Sequence, residues 1–282
     1  MKRSKCCLLG IPDDQGVLNV GGRVGAALGP AAFRKILRKM SGKTGLVSQI
    51  EDLGDAPVGG DSLEKVHRQT ADLIQRAHSK FDLSVVIGGG HDHGFSHLLG
   101  LRGALGKKAR LGCLNIDAHF DLRKPAPLIG SGSPFYLAIE SGVLDPKRLV
   151  EFGIQSHCNA PALWEYAASK KISTRHFASL RKGRAIPEFK SALKKLCATS
   201  DQVAISLDLD AASSNYAPGV SAPQAEGFSA SEMIEMCEIA GANTKVISLG
   251  IFELNPLHDI DDRTARLAAT CAFHFVDEAS KR

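Results

Sequence analysis

Four short segments of this chain carry side chains able to bind a metal ion or move a proton. They are Gly88-Gly89-Gly90-His91, Asp117-Ala118-His119-Phe120-Asp121, Asp208-Leu209-Asp210 and Glu253-Leu254-Asn255-Pro256. In extended backbone, residues two apart face the same side. Asp117, His119 and Asp121 are therefore expected to converge, as are Asp208 and Asp210. Four carboxylates and two imidazoles gathered in one place repel when nothing lies between them, because carboxylates sharing a site raise one another's pKa. Two divalent cations neutralise four carboxylates charge for charge. The donors are oxygen and nitrogen with no cysteine, which favours manganese or a similar ion over a structural zinc. The three glycines let the backbone turn tightly and approach its neighbours closely before His91. Each segment alone also fits a strand end bonded to loop amides, or a turn with a solvated histidine. Their joint occurrence, each at the end of a strand-like run, is what points to a metal site.

The elements that would position these groups are legible as apolar runs of strand length. Eight are found: Cys6–Ile11, Ser48–Leu53, Leu83–Ile87, Leu111–Ile116, Leu149–Ile154, Ile172–Phe177, Val203–Leu209 and Val246–Phe252. Several are almost continuously apolar, as strands buried on both faces of a parallel sheet are. Helix-like segments lie between them: Pro30–Met40, Ser62–Ser79, Ala160–Ser169, Ser191–Ala198, Ser229–Ala240, and a closing helix over Asp262–Glu278. Ser229 followed three residues on by Glu232 matches a capping box. Alternation of strands and helices predicts an α/β fold, a mostly parallel eight-stranded sheet covered by helices on both faces. In such open sheets ligands bind beyond the carboxyl ends of the strands, where the four segments fall. Three loops rich in Gly, Pro, Ser or Asn follow strand ends, at Asp13–Leu28, Arg123–Pro134 and Ala211–Gly227. Long loops in a compact domain are often functional, so one domain over residues 1–282 with a loop-built site is expected. His93 and His97 read as helix-face residues with no part in catalysis.

Composition narrows the function classes. The chain has 282 residues, 44% hydrophobic and 23% charged, which is ordinary for a globular protein with a core. No run approaches the roughly 20 apolar residues needed to span a bilayer. The CCLLGIP run after the basic start reads as a first strand, not a secretion signal. Seven cysteines are scattered with no C-x-x-C pair, which suits buried thiols in a reducing cytoplasm. The net charge is +5 and the basic residues are dispersed, KKAR at 107–110 and RKGR at 181–184 being short loop-like runs. No stripe for nucleic acid is present, and a mild positive excess suits an acidic substrate.

The motifs GGGHDHG at 88–94, NIDAHFDLR at 115–123, SLDLD at 206–210 and FELNP at 252–256 resemble those of the ureohydrolase superfamily, which contains arginase, agmatinase and formimidoylglutamase. GVLNVGGRVGAALGPAAFRKIL at 16–37, GIQSHCN at 153–159, YAPGVSAP at 216–223 and DIDDRTARLAA at 259–269 look like the formimidoylglutamase branch. The resemblance implies an arginase-like three-layer sandwich and two Mn2+ per chain. One ion would be held by His91, Asp117, Asp121 and Asp208, the other by Asp117, His119, Asp208 and Asp210, with water activated between them. It gives Asp121 the transfer of a proton to the leaving amine, and Glu253 the pairing with a cationic amidine. It also implies a trimer or hexamer. Arginases and agmatinases carry a histidine where this chain has Ser131, and arginases a D-P after the D-L-D motif where it has Ala211-Ala212. Ser131 argues against both activities, and the missing D-P sets the chain apart from arginases.

The implied reaction is hydrolysis of N-formimidoyl-L-glutamate to L-glutamate and formamide, in histidine degradation. A substrate with two carboxylates at neutral pH needs cationic or amide donors around its tail; Arg23, Arg123, Asn19 and Asn159, with Ser131, are the candidates. The alternatives within the superfamily are an agmatinase, an arginase or a guanidino-acid hydrolase releasing urea. Outside it stand a mononuclear zinc deacetylase, which uses a similar D-x-H, and a non-catalytic metal-binding protein.

Overall fold

The computed structural model describes residues 6–42, 45–59, 62–106 and 108–282. The basic start before Cys6 and Lys107 of the KKAR run lie outside them. Eight strands form one sheet in the order β2-β1-β3-β8-β7-β4-β5-β6, and every pairing is parallel. They are β1 (Cys6–Gly10), β2 (Ile50–Asp55), β3 (Leu83–Ile87), β4 (Leu111–Ile116), β5 (Leu149–Ile154), β6 (Ser173–His176), β7 (Gln202–Asp208) and β8 (Val246–Phe252). The helices are α1 (Gln15–Asn19), α2 (Gly29–Leu37), α3 (Leu63–Ala77), α4 (His93–Leu105), α5 (Pro134–Glu140), α6 (Pro161–Ser169), α7 (Phe177–Leu180), α8 (Ala185–Thr199), α9 (Ala230–Ala242) and α10 (Arg263–Ala279).

The apolar runs become strands because helices close over both faces of the sheet. On one face Phe33 and Leu37 of α2, Leu193 of α8, Met233 of α9 and Leu267 of α10 pack against strand residues such as Val85, Ile205 and Ile251. On the other, Ile74 of α3, Leu98 and Leu101 of α4, Phe135 of α5 and Ala167 of α6 pack against Val86, Cys113 and Ala204. The expected α-β-α layering and parallel sheet are borne out. The capping box at α9 forms as read, Ser229 and Glu232 each accepting from the other's backbone N–H.

Three local expectations shift. The second strand starts at Ile50, not Ser48, because Ser48 and Gln49 belong to a 3-10 turn. It is an exposed edge strand, so its acidic residues Glu51, Asp52 and Asp55 meet water or a cation: Arg34 reaches both Asp52 at 2.9 Å and Asp55 at 2.5 Å. Helix α8 begins six residues before Ser191, at Ala185. Helix α4 was expected only as the face carrying His93 and His97, with no bounds, since Gly94, Gly100 and Gly103 lower helix propensity. Its glycines serve packing instead: a Cβ on Gly100 would lie 2.6 Å from the Ala71 carbonyl oxygen of α3.

Candidate metal centre

The four central strands, β3, β8, β7 and β4, deliver the chemistry-bearing residues at their carboxyl ends. His91 follows β3, Glu253 follows β8, Asp208 ends β7 and Asp117 follows β4. His91 Nδ1 lies 3.2 Å from Asp117 Oδ2, 2.9 Å from Asp121 Oδ2 and 2.9 Å from Asp208 Oδ2. His119 Nδ1 lies 3.5 Å from Asp117 Oδ1 and 3.1 Å from Asp210 Oδ2. Two donor clusters result, His91/Asp117/Asp121/Asp208 and Asp117/His119/Asp210, sharing Asp117.

The convergence does not come from strand alternation beyond Asp117 and Asp208. Each first aspartate turns its Oδ1 back onto the amide two residues on, His119 N at 2.7 Å and Asp210 N at 2.8 Å. These are Asx turns, and they swing His119 and Asp210 towards each other. Asp121 takes φ 51° and Glu253 φ 66°, left-handed backbone that a side-chain-bearing residue adopts only where its surroundings hold it. The triple glycine acts by close approach. A Cβ on Gly89 would overlap the Asp13 carbonyl oxygen, which accepts from Gly90 N at 2.9 Å. One on Gly88 would overlap Phe252, whose ring stacks on His91 at 4.8 Å.

The cluster fits cations. His91 Nε2 is engaged with Ser206 Oγ at 2.8 Å, while Nδ1, facing three carboxylate oxygens, has no hydrogen-bond partner. A buried lone pair among carboxylate oxygens is the arrangement a metal ion satisfies. Electrostatics say the same. Burial, with Asp210 and Asp117 alongside, pushes Asp208 well above its ordinary value. Burial raises Asp210 to about 6, His119 opposing and Asp117 adding to it. Asp121 is raised by burial and by Asp117. Asp117, despite its burial, is held low by His119 and His91. So much buried like charge is stable only with positive charge beside it.

The cluster forms the floor of an open cavity of about 190 Å³. Its walls include Val20, Gly22, Arg123, Ser131, Gly132, Ser221, Ala222 and Glu253. Glu253 is 2% exposed. Its Oε1 accepts from His91 N at 2.8 Å and its Oε2 from Ser221 Oγ. Burial outweighs both bonds and raises its carboxyl to about 8.

Of the expected tail-binding residues, Arg123 and Ser131 line the cavity, and Arg123 is the one Arg or Lys among the described lining residues. Three others do not line it. Asn159 Nδ2 donates to the carbonyls of Ala118 and Gln155 and its Oδ1 accepts from Phe120 N, so it braces the loop carrying His119. Asn19 Nδ2 donates to the Ile129 carbonyl and its Oδ1 accepts from Gln15. Arg23 stands outside the wall, its Nε buried without a hydrogen-bond partner and its carbonyl receiving Asn255 Nδ2. Ser221 was missed: nothing in PGVSAP marks it until Glu253 is seen against it. His93 and His97 lie on α4 and are buried. His67, Asp92 and His93 form a further donor group, but they are engaged in pairs, His67 Nε2 with Asp92 Oδ2 and His93 Nε2 with Asp13 Oδ2, both at 2.8 Å. These pairs tie α3 and the Asp13 loop to the His91 turn.

Fold and site define a protein of the parallel α/β class with a candidate two-ion centre at the carboxyl edge of its sheet. The family model that matches residues 4–276 is the arginase family, and the chain belongs to it. The chain is 34% identical over 281 residues to a formimidoylglutamase of Streptococcus pyogenes, covering 95% of this chain and 83% of that relative. A Trypanosoma cruzi formiminoglutamase solved with Mn2+2 superposes with a TM-score of 0.90 at 29% identity, covering 99% of this chain and 94% of that one. The formimidoylglutamase of Bacillus subtilis shares the fold, with a TM-score of 0.89 at 23% identity. The resemblance read from the motifs is thus borne out.

Proposed function

We propose that this protein is a binuclear manganese hydrolase that converts N-formimidoyl-L-glutamate and water to L-glutamate and formamide, in histidine degradation. The observation that carries the reading is the pair of donor clusters sharing Asp117 on the floor of a cavity walled by Glu253. The relatives named formimidoylglutamase supply the substrate.

In this reading His91, Asp117, Asp121 and Asp208 hold one Mn2+, and Asp117, His119, Asp208 and Asp210 the other. The ions, when bound, supply Lewis acidity and lower the pKa of water towards neutrality. The chain's own residues do the rest. Glu253, fixed by His91 N and Ser221, pairs with the cationic formimino group and orients its carbon over the floor of the cavity. The Asp121 carboxylate carries a proton to the leaving nitrogen. Arg123 meets the carboxylates of the tail, and Ser131 leaves the wall without the histidine expected of an arginase or agmatinase. The single domain extends over 1–282. The protein works in the cytoplasm, to which its seven unpaired cysteines are suited, as a homotrimer or hexamer.

The test is turnover by metal-stripped and manganese-loaded protein on formimidoylglutamate, arginine, agmatine and guanidinobutyrate, with metal content measured on the same sample. Formamide from the formimino compound and two Mn2+ per chain are expected. Urea from a guanidine without formamide would overturn the substrate, and one zinc per chain would overturn the two-ion centre.

A further inference from the structure

Beneath the ligand layer lies a second layer of polar residues. Glu151 on β5, Asn115 on β4 and Ser206 on β7 share one register row, Asn115 paired with each of the others across the sheet. Glu151 and Asn115 are both 0% exposed. Asn115 Nδ2 donates to Asp117 Oδ2 at 3.2 Å and to Glu151 Oε2 at 3.0 Å. Asp117 is the aspartate common to both donor clusters.

A carboxyl at the centre of a sheet is costly to bury, and Glu151 Oε1 has no hydrogen-bond partner. Leucine would pack there at less cost. What Glu151 does offer is a choice of orientation. A primary amide can present either its NH2 or its oxygen. With an acceptor on both sides, Asn115 must turn its nitrogen to both. Without Glu151, a single bond to Asp117 selects that orientation. The turned amide sets its Oδ1 against Asp117 Oδ2, oxygen facing oxygen in a dry layer, and the carboxylate rotates away.

We propose that Glu151 is a positioning residue: acting through Asn115, it fixes the carboxylate of Asp117 in the orientation that serves both ion sites. The inference rests on the two-ion reading above. Partners behind a metal ligand typically change affinity tenfold to a hundredfold when removed.

The experiment is Mn2+ titration of metal-stripped wild type, Glu151→Gln, Glu151→Leu and Asn115→Leu, with free Mn2+ read by electron paramagnetic resonance. Thermal melting of each metal-free protein is measured beside it. Glu151→Gln keeps an acceptor for Asn115 and binds close to wild type. Glu151→Leu and Asn115→Leu bind Mn2+ about ten- to a hundredfold more weakly, while metal-free Glu151→Leu melts no lower than wild type. A merely structural role predicts the reverse, a lower melting point with unchanged affinity, and that result overturns the proposal. So does a Glu151→Gln variant as weak as Glu151→Leu. If Glu151→Leu does not fold, Glu151→Met replaces it in the comparison with Glu151→Gln. Wild type that binds no Mn2+ removes the two-ion reading itself, whereas wild type that binds two ions alongside unaffected variants removes this inference alone.

Discussion

Replacing Glu253 by glutamine isolates the charge of that residue from its place in the fold. Glutamine keeps an oxygen to accept from His91 N, which Glu253 Oε1 does at 2.8 Å, and turns its amide to Ser221, which bonds the other oxygen. The loop carrying His91 therefore stays put, and manganese content and melting temperature should hold. What disappears is the negative charge that, in the proposed reading, Glu253 takes up beside a cationic formimino group in a site 2% exposed, where burial raises the carboxyl to about 8. Losing one partner of a buried, hydrogen-bonded charge pair costs about 2–5 kcal/mol. At 1.36 kcal/mol per decade that is roughly thirtyfold to several-thousandfold in kcat/KM. The pairing is made in ground and transition states alike, so its loss raises KM, and loss of the orientation Glu253 gives the carbon lowers kcat. Steady-state kinetics on formimidoylglutamate measure both. Activity within a factor of about ten of wild type would refute the pairing of Glu253 with substrate. Loss of manganese from the variant would show instead that Glu253 holds the ion site, not the substrate.

Three further perturbations separate tail, core and turn. Arg123→Met should raise KM for the diacid substrate and leave a tail-less formamidine untouched; equal loss on both substrates would show that Arg123 does not read the tail. Burial lowers His78 to about 4, its Nε2 held by Ser84 Oγ at 2.8 Å. An unfolded histidine takes its proton near 6.5, so the unfolded chain binds more protons between about 6.5 and 4, and stability falls as pH drops through that window. The ceiling is about 3 kcal/mol from this group, less where water reaches the ring. Urea unfolding at pH 7.5 and pH 5 should show a smaller drop for His78→Gln than for wild type, and equal drops would refute the assignment. Gly89→Ala drives a methyl into the Asp13 carbonyl, a backbone group with little room to move. It should lose at least about 1–3 kcal/mol of stability and weaken manganese binding together, and a variant that melts and binds like wild type would show that the close approach is dispensable.

What the sequence disclosed, and what it withheld, divides by range of interaction. The sheet was legible because strands buried on both faces are mostly apolar, and Leu83–Ile87, Leu111–Ile116 and Leu149–Ile154 form with the expected bounds although each carries one polar residue. The ligand set was legible because its members fall in short motifs at strand ends, Asp117, His119 and Asp121 within five residues and Asp208 and Asp210 within three. The mechanism of their convergence was not. Alternation was the expected device, yet Asp121 arrives by a left-handed residue, and His119 and Asp210 by turns that Asp117 and Asp208 themselves cap. The extent of helix α4 beyond His93 and His97 was hidden because its glycines answer to α3, a partner about thirty residues away that periodicity cannot see.

The same division explains Asn159 and Glu151. Asn159 was a candidate substrate ligand because a tail with two carboxylates calls for amide donors. It is instead spent on three backbone groups of the 118–120 turn and its own loop, contacts no local pattern announces. Glu151 carries no signal of its own, a single carboxylate inside the strand run Leu149–Ile154. Only the register of β5 against β4 brings it opposite Asn115, and only the tip of β4 gives that pairing a consequence. The ligands of such a centre are a property of motifs, whereas the forces that hold their carboxylates in one rotamer belong to the sheet. A variant series confined to the motif residues would therefore reach the ligands and Asn115 but miss Glu151 behind it.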